Sequence, residues 1–181
     1  KMSYRFAHIL NFTVAPSMFL NYLWHYPNNL YRVLAVVGSV SLAVCTIYFL
    51  VTAWSLRPVF KKNITVIKLI GLTAISAFVL KMVMQAFTIL PSLGQLVFAN
   101  RPMIIAFLHL VLLGFVSLYI VAHLLYGGYM QLNKQSITAA YVFAAAVVVN
   151  ELVLFMQGTG VMFMTNSSNY NWLLWATGAW L

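Results

Sequence analysis

Four long apolar runs, near residues 30–56, 64–90, 102–126 and 137–164, make up most of this sequence. The hydrocarbon core of a bilayer is about 30 Å thick and takes about 20 mostly apolar residues in helix to cross it. Helix is required because no water is present there to satisfy a free N–H or C=O. Each run exceeds that length. An earlier stretch, 4–24, is also long enough, although Asn11, Pro16 and Asn21 interrupt it, and it counts as a fifth span. The expectation is an all-α, polytopic integral membrane helix bundle of about five transmembrane helices forming a single membrane domain. A water-soluble fold is excluded, since 64% of the residues are hydrophobic and only 6% charged, against about 25% charged in ordinary soluble domains.

The connections carry helix-ending residues: His25-Tyr-Pro-Asn-Asn29, the segment 57–63 that opens with Arg57-Pro58, the stretch 91–102 bounded by two prolines, and Gly127-Gly128 onward to Ser136. The stretch 170–181 is apolar and too short to cross. Its tryptophan spacing suits an interfacial helix, and its composition equally suits the start of a further span in a longer chain. Lys1 in place of an initiator Met points the same way.

Ten Lys and Arg face one acid, Glu151, an excess of nine positive charges. The basic residues are scattered between apolar runs and line no polar face, so no nucleic acid partner is implied. They bear instead on orientation. Lys1, Arg5, Arg57, Lys61, Lys62 and Lys134 fall on one side of a five-span arrangement, and Arg32 and Arg101 on the other. The positive-inside rule then places the N-terminus in the cytoplasm. The partners implied are the lipid bilayer and other membrane subunits. Trp24, Trp54 and Trp172 fall near the ends of predicted helices, at headgroup level.

Ionisable groups within a span cost about 2.5–3.5 kcal/mol each on insertion scales, so each one is a functional candidate. Lys81 lies nine residues before Leu90, roughly 14 Å below that helix end. Glu151, flanked by Asn150 and followed by Gln157, is the one carboxylate able to neutralise it, which predicts that the two helices are neighbours. Gln85 shares the Lys81 face at i+4, and His109, seven residues beyond Pro102, reaches a similar depth. Lys81, Gln85, His109, Asn150 and Glu151 thus form a candidate polar site in the outer half of the membrane. The same groups also suit a purely structural lock between helices. Gly158-Thr-Gly160 either permits close packing or unwinds the helix end, and close packing is the commoner outcome.

The histidines suggest a different chemistry. His109 and His123 stand 14 residues apart, about 21 Å along a regular helix and within about 40° of one face. Such spacing suits two stacked haems, and bis-His ligation of two haems takes four histidines, matching His8, His25, His109 and His123. No aspartate is present, and there is no paired carboxylate, phosphate loop, HExxH or Ser-His-Asp set for hydrolytic chemistry. The lone Cys45 excludes an intrachain disulfide.

The segments Lys81-Met-Val-Met-Gln85, Pro91-Ser-Leu-Gly-Gln95, Asn100-Arg-Pro102 and His109-Leu-Val-Leu-Leu-Gly114 resemble a largely uncharacterised family of multi-pass bacterial membrane proteins. That family is remotely similar to subunit I of haem-copper oxidases, and the resemblance covers chiefly residues 76–126. It implies that His109 is a haem or metal ligand toward the outer side; together with the spacing to His123, this gives the expectation that His109 and His123 bind a b-type haem. The sequence has one histidine where that family has a doublet, so a copper centre is not completed by this chain. Two other classes fit the same residues: a transporter or channel-like subunit built on Lys81 and Glu151, and a structural membrane subunit without a site.

Overall fold

The computed structural model describes residues 2–22, 28–55, 64–162 and 169–180, and among them every regular element is a helix. The helices are α1 (Met2–Tyr22), α2 (Asn29–Ser55), α3 (Thr65–Phe87), α4 (Pro91–Ala99), α5 (Arg101–Tyr126), α6 (Lys134–Met162) and α7 (Asn169–Trp180). Four of them, α2, α3, α5 and α6, are long and apolar enough to cross a membrane. The apolar part of α1 is shorter, Ala7–Leu20, at about 21 Å. The chain is therefore an all-α polytopic membrane fold, with four long spans and one shorter apolar helix. Trp24, His25 and the basic connection with Arg57, Lys61 and Lys62 lie outside the described residues, as does Lys1.

The outward faces explain the composition. Along α2, Val33, Val36, Val40, Val44, Ile47 and Val51 recur at three- and four-residue steps and all are exposed. An apolar stripe of that extent belongs against lipid, since soluble proteins rarely leave a contiguous apolar patch larger than a few hundred Å² uncovered.

Two compact units share the chain. The first contains α1, α2, the end of α3 from residue 79, and α4. Its seam is built from small residues: Ala35, Gly38, Leu42 and Cys45 of α2 are buried at a three-four-three spacing, as are Thr13, Ser17 and Leu20 of α1. Thr13 and Ser17 donate to the Ile9 and Val14 carbonyls of their own helix, so neither hydroxyl is left orphaned in an apolar seam. Gly38 is where the backbones meet. A Cβ there would run into the carbonyl of Pro16 and lie 3.2 Å from Ser17 Cα. Ser39 Oγ donates to the Ala86 carbonyl at 2.9 Å and ties α2 to the end of α3. Beyond that end, the 91–102 stretch expected as a connection contains α4. Pro91 is the reason: at the first helical position its missing N–H costs nothing and its fixed φ suits helix. The next residue that breaks the run is Asn100, extended at φ −109 and ψ 107.

The second unit contains the first part of α3, then α5, α6 and α7. Its core combines Val66, Ile67, Ile70 and Ala74 of α3, Leu118, Ala122 and Leu125 of α5, and Ala140, Ala144 and Val147 of α6. The expected proximity of the second and fourth long helices is met to this extent, since both feed one core. The α5–α6 connection is closed at both ends by local chemistry. Gly128, at φ +73, takes the left-handed position that a side chain would strain, and the Tyr129 and Gly128 amides cap the Leu124 and Leu125 carbonyls. Asn133 then caps α6, its Oδ1 accepting from the Ser136 amide at 2.7 Å. At the other end of α6 the helix continues through Gly158 and Gly160 without unwinding. Gly158 serves close packing: the Met103 side chain of α5 fills the space a Cβ would take.

Candidate functional site

One departure from regular helix shapes the site. Leu110–Ser117 of α5 is π-helical, and the Ser117 hydroxyl donates to the Leu112 carbonyl five residues back. The half-buried His109 precedes this turn, and the buried residues Gly114, Leu118, Ala122 and Leu125 lie within and beyond it. One residue added to a turn rotates everything beyond it by about 100°. The 40° separation expected between His109 and His123 on a regular helix therefore widens to about 140°. This corrects the expectation of two histidines on one face. His123 is exposed and stacks on Tyr119, with ring centroids 6.1 Å apart and planes 11° from parallel. His8, on α1 of the first unit, is also exposed and meets Tyr4 edge to face at 4.5 Å. His25 lies outside the described residues.

His109 sits just before the π-helical turn and faces α6. Its Nδ1 is 3.2 Å from Asn150 Nδ2, and Asn150, only 3% exposed, accepts at Oδ1 from Thr177 Oγ1 of α7 at 3.1 Å. Thr177 Oγ1 is also 2.9 Å from the Leu173 carbonyl. Three helices thus contribute one polar group each to a connected chain of hydrogen bonds. His109 lies about 12 Å from the start of α5, and Asn150 about 18 Å from the end of α6.

Above this chain opens a cleft of about 400 Å³ lined by residues of the same three helices. Pro102, Ile105, Leu154, Leu174 and Gly178 give it apolar walls, while Arg101, Gln157 and Asn171 supply polar groups nearer the helix ends. Gln157 Nε2 donates to Asn171 Oδ1 at 3.1 Å, a second link between α6 and α7. With Gln157 opposite Asn171 and Asn150 opposite Thr177, α7 runs antiparallel alongside α6.

The remaining candidates separate. Asn150 and Glu151 belong to the second unit, whereas Lys81 and Gln85 belong to the first. Lys81 and Gln85 are half-buried, and Gln85 Oε1 has no hydrogen-bond partner among the described residues. Glu151 is half-buried, and its Oε1 likewise has no partner among the described residues. Being adjacent to Asn150, it points about 100° away from the His109 chain. Among the described residues no group of three or more His, Cys, Asp or Glu could hold a metal ion.

The residues that the sequence reading passed over are Thr177, which bonds to Asn150, and Arg101, Asn171 and Gly178, which line the cleft. Their signal was a stripe: Asn171, Leu174 and Gly178 share one face of α7, as Asn150, Leu154 and Gln157 share one face of α6. No protein-family model, characterised protein or solved structure matches the chain significantly.

Proposed function

We propose that this chain is a redox-associated membrane protein that binds a b-type haem in the cleft between α5, α6 and α7, where His109 would hold the iron. The observation that carries the proposal is the Asn150–His109 hydrogen bond inside an apolar cleft. A metal-binding histidine is ordinarily oriented by a partner on its other ring nitrogen, and Asn150 occupies that position. The donor set fits. The amide of Asn150 can present its oxygen to a protonated Nδ1, which leaves the Nε2 lone pair for iron. Arg101, Gln157 and Asn171 would take the haem carboxylates, and Pro102, Ile105, Leu154 and Leu174 would cover the ring. A volume of about 400 Å³ lies within the usual range for cofactor sites. Haem bound there supplies one-electron chemistry, and the apolar walls keep water from the ring.

His109 is the one histidine lining the cleft, so the proposal is a single site in place of two stacked haems. Its setting is a bacterial inner membrane with the N-terminus in the cytoplasm, in keeping with the distribution of Lys and Arg and with the resemblance of residues 76–126 to relatives of haem-copper oxidase subunit I. The test is a reduced-minus-oxidised absorption spectrum of the detergent-purified protein, with a pyridine haemochrome assay for haem per chain. Sharp b-type bands are expected in the wild type and absent in His109→Ala. A well-folded, colourless wild-type protein overturns the proposal.

A second function, proton or ion movement by a transporter or channel-like subunit, is favoured by one observation. The only carboxylate in the sequence has a buried oxygen without a partner.

A further inference from the structure

We infer that Thr177 is a positioning residue for His109, acting through Asn150 to select the imidazole tautomer that can bind a metal. The inference deepens the haem proposal and rests on it for the identity of the metal group, whereas the tautomer is a property of the protein alone.

The three groups form a chain that ends on a backbone carbonyl: His109 Nδ1 to the Asn150 amide at 3.2 Å, the amide to Thr177 Oγ1 at 3.1 Å, and Oγ1 to the Leu173 carbonyl at 2.9 Å. It is satisfied in either of two directions. In one, Thr177 donates to Asn150 Oδ1 and Asn150 Nδ2 donates to His109 Nδ1, so the imidazole proton is on Nε2 and His109 presents a donor to the cleft. In the other, His109 Nδ1–H donates to Asn150 Oδ1, Asn150 Nδ2 donates to Thr177 Oγ1, and the Thr177 proton goes to the Leu173 carbonyl. Nε2 is then bare and able to bind a metal. An amide turned over about its own axis swaps Oδ1 and Nδ2 and so exchanges the two directions, with His109 Nδ1 and Thr177 Oγ1 left in place.

Thr177 makes the exchange feasible because a hydroxyl both donates and accepts. A residue of the same shape without the hydroxyl leaves the amide with one satisfied end. Asn150 is 3% exposed, so leaving its amide unpartnered is costly. A buried N–H without an acceptor is rarer and costlier than a carbonyl oxygen without a donor. Asn150 then turns Nδ2 toward the one acceptor left, His109 Nδ1. That holds the proton on Nε2 and closes His109 to metals. Threonine at 177 thus keeps the ligand-competent tautomer accessible, a role beyond helix packing.

The experiment uses the full chain in detergent, with ¹⁵N-histidine labelling to read the His109 tautomer in haem-free protein and titration with haem to read affinity. Thr177→Val is expected to shift His109 toward the Nε2–H tautomer and to weaken haem binding roughly 5- to 150-fold, the equivalent of one unsatisfied buried N–H. Thr177→Ser restores both. Asn150→Asp, whose carboxylate only accepts from Nδ1–H, fixes the metal-binding tautomer and makes haem affinity insensitive to Thr177→Val in the double variant. It also guards against a Thr177→Val protein that fails to fold, because Asn150→Asp alone must move the tautomer toward Nδ1–H. A Thr177→Val protein with the wild-type tautomer ratio overturns the inference, as does an Asn150→Asp protein whose tautomer does not move. Absence of haem binding by the wild type with the tautomer shifts intact rejects the haem proposal and leaves the positioning role of Thr177 standing.

Discussion

Replacing Gly38 with alanine measures how tightly the α1–α2 seam is set by backbone contact. A methyl group at that position meets the Pro16 carbonyl, with the carbonyl carbon 2.8 Å away and Ser17 Cα 3.2 Å away. Carbon atoms pack best at about 3.5–4.0 Å, so the two helices must part by about 0.7 Å locally. A gap of that size forfeits about a quarter to a half of the dispersion attraction across the seam. In lipid, no hydrophobic force draws the helices back together. Overpacking of this kind typically costs about 1–3 kcal/mol. Cys45 is the only thiol in the sequence; it is 0% exposed and lies seven residues along the same stripe of α2, within hydrogen-bond reach of Thr13 on α1. Its rate of alkylation by a membrane-permeant maleimide follows the open population of the seam. Gly38→Ala is expected to raise that rate about 5- to 150-fold. Gly178→Ala is the control: an added Cβ there meets nothing within 4 Å, and the labelling rate should match wild type. Labelling of Gly38→Ala at the wild-type rate would refute the close approach.

Other outcomes test the second unit. Gly178 lines the cleft and a Cβ there meets nothing within 4 Å, so Gly178→Phe should lower haem content several-fold while thermal unfolding stays near wild type. Both are read by haemochrome assay and circular dichroism. Glu151→Gln keeps shape and removes charge. With no partner for Oε1, the expected loss of stability is under about 1 kcal/mol, whereas a carboxylate whose buried ion pair is broken loses about 3–5 kcal/mol. Detergent-based unfolding separates the two. Asn150→Leu removes the group between His109 and Thr177, and the expected cost is about 1 kcal/mol, because membrane hydrogen bonds average about 0.6 kcal/mol and Thr177 keeps its bond to Leu173. An unfolding series with Thr177→Val as the partner variant gives the coupling directly.

The long spans were legible from their lengths alone, because the bilayer leaves a 25-residue apolar run one conformation that satisfies its backbone. The helix at Pro91–Ala99 was harder to see. Its two bounding prolines read as loop, although a proline at the first helical position favours helix. For the site, the sequence singled out His109 and Asn150 because polar residues inside a span are costly and few. Thr177 carried no such mark, since a hydroxyl in a helix normally satisfies itself on a carbonyl one turn back, and only the fold shows it reaching Asn150 as well. The pairing of His109 with His123 failed for a physical reason. A count of 3.6 residues per turn holds only while the helix is regular, and Gly114 and Ser117 within Leu110–Ser117 gave no warning in the alphabet of propensities that it was not.

That turn gives α5 two frames of address. Positions before Leu110 and positions after Ser117 follow the same periodicity but start from different origins, so a face identified at one end of the helix is displaced at the other. Loss of one residue anywhere between them would act as a frameshift in three dimensions. The helix would become uniform, Leu118, Ala122 and Leu125 would swing about 100° off the core, and His123 would come back to within about 40° of His109. A single amino acid of length separates this chain from one that carries two histidines on a common face.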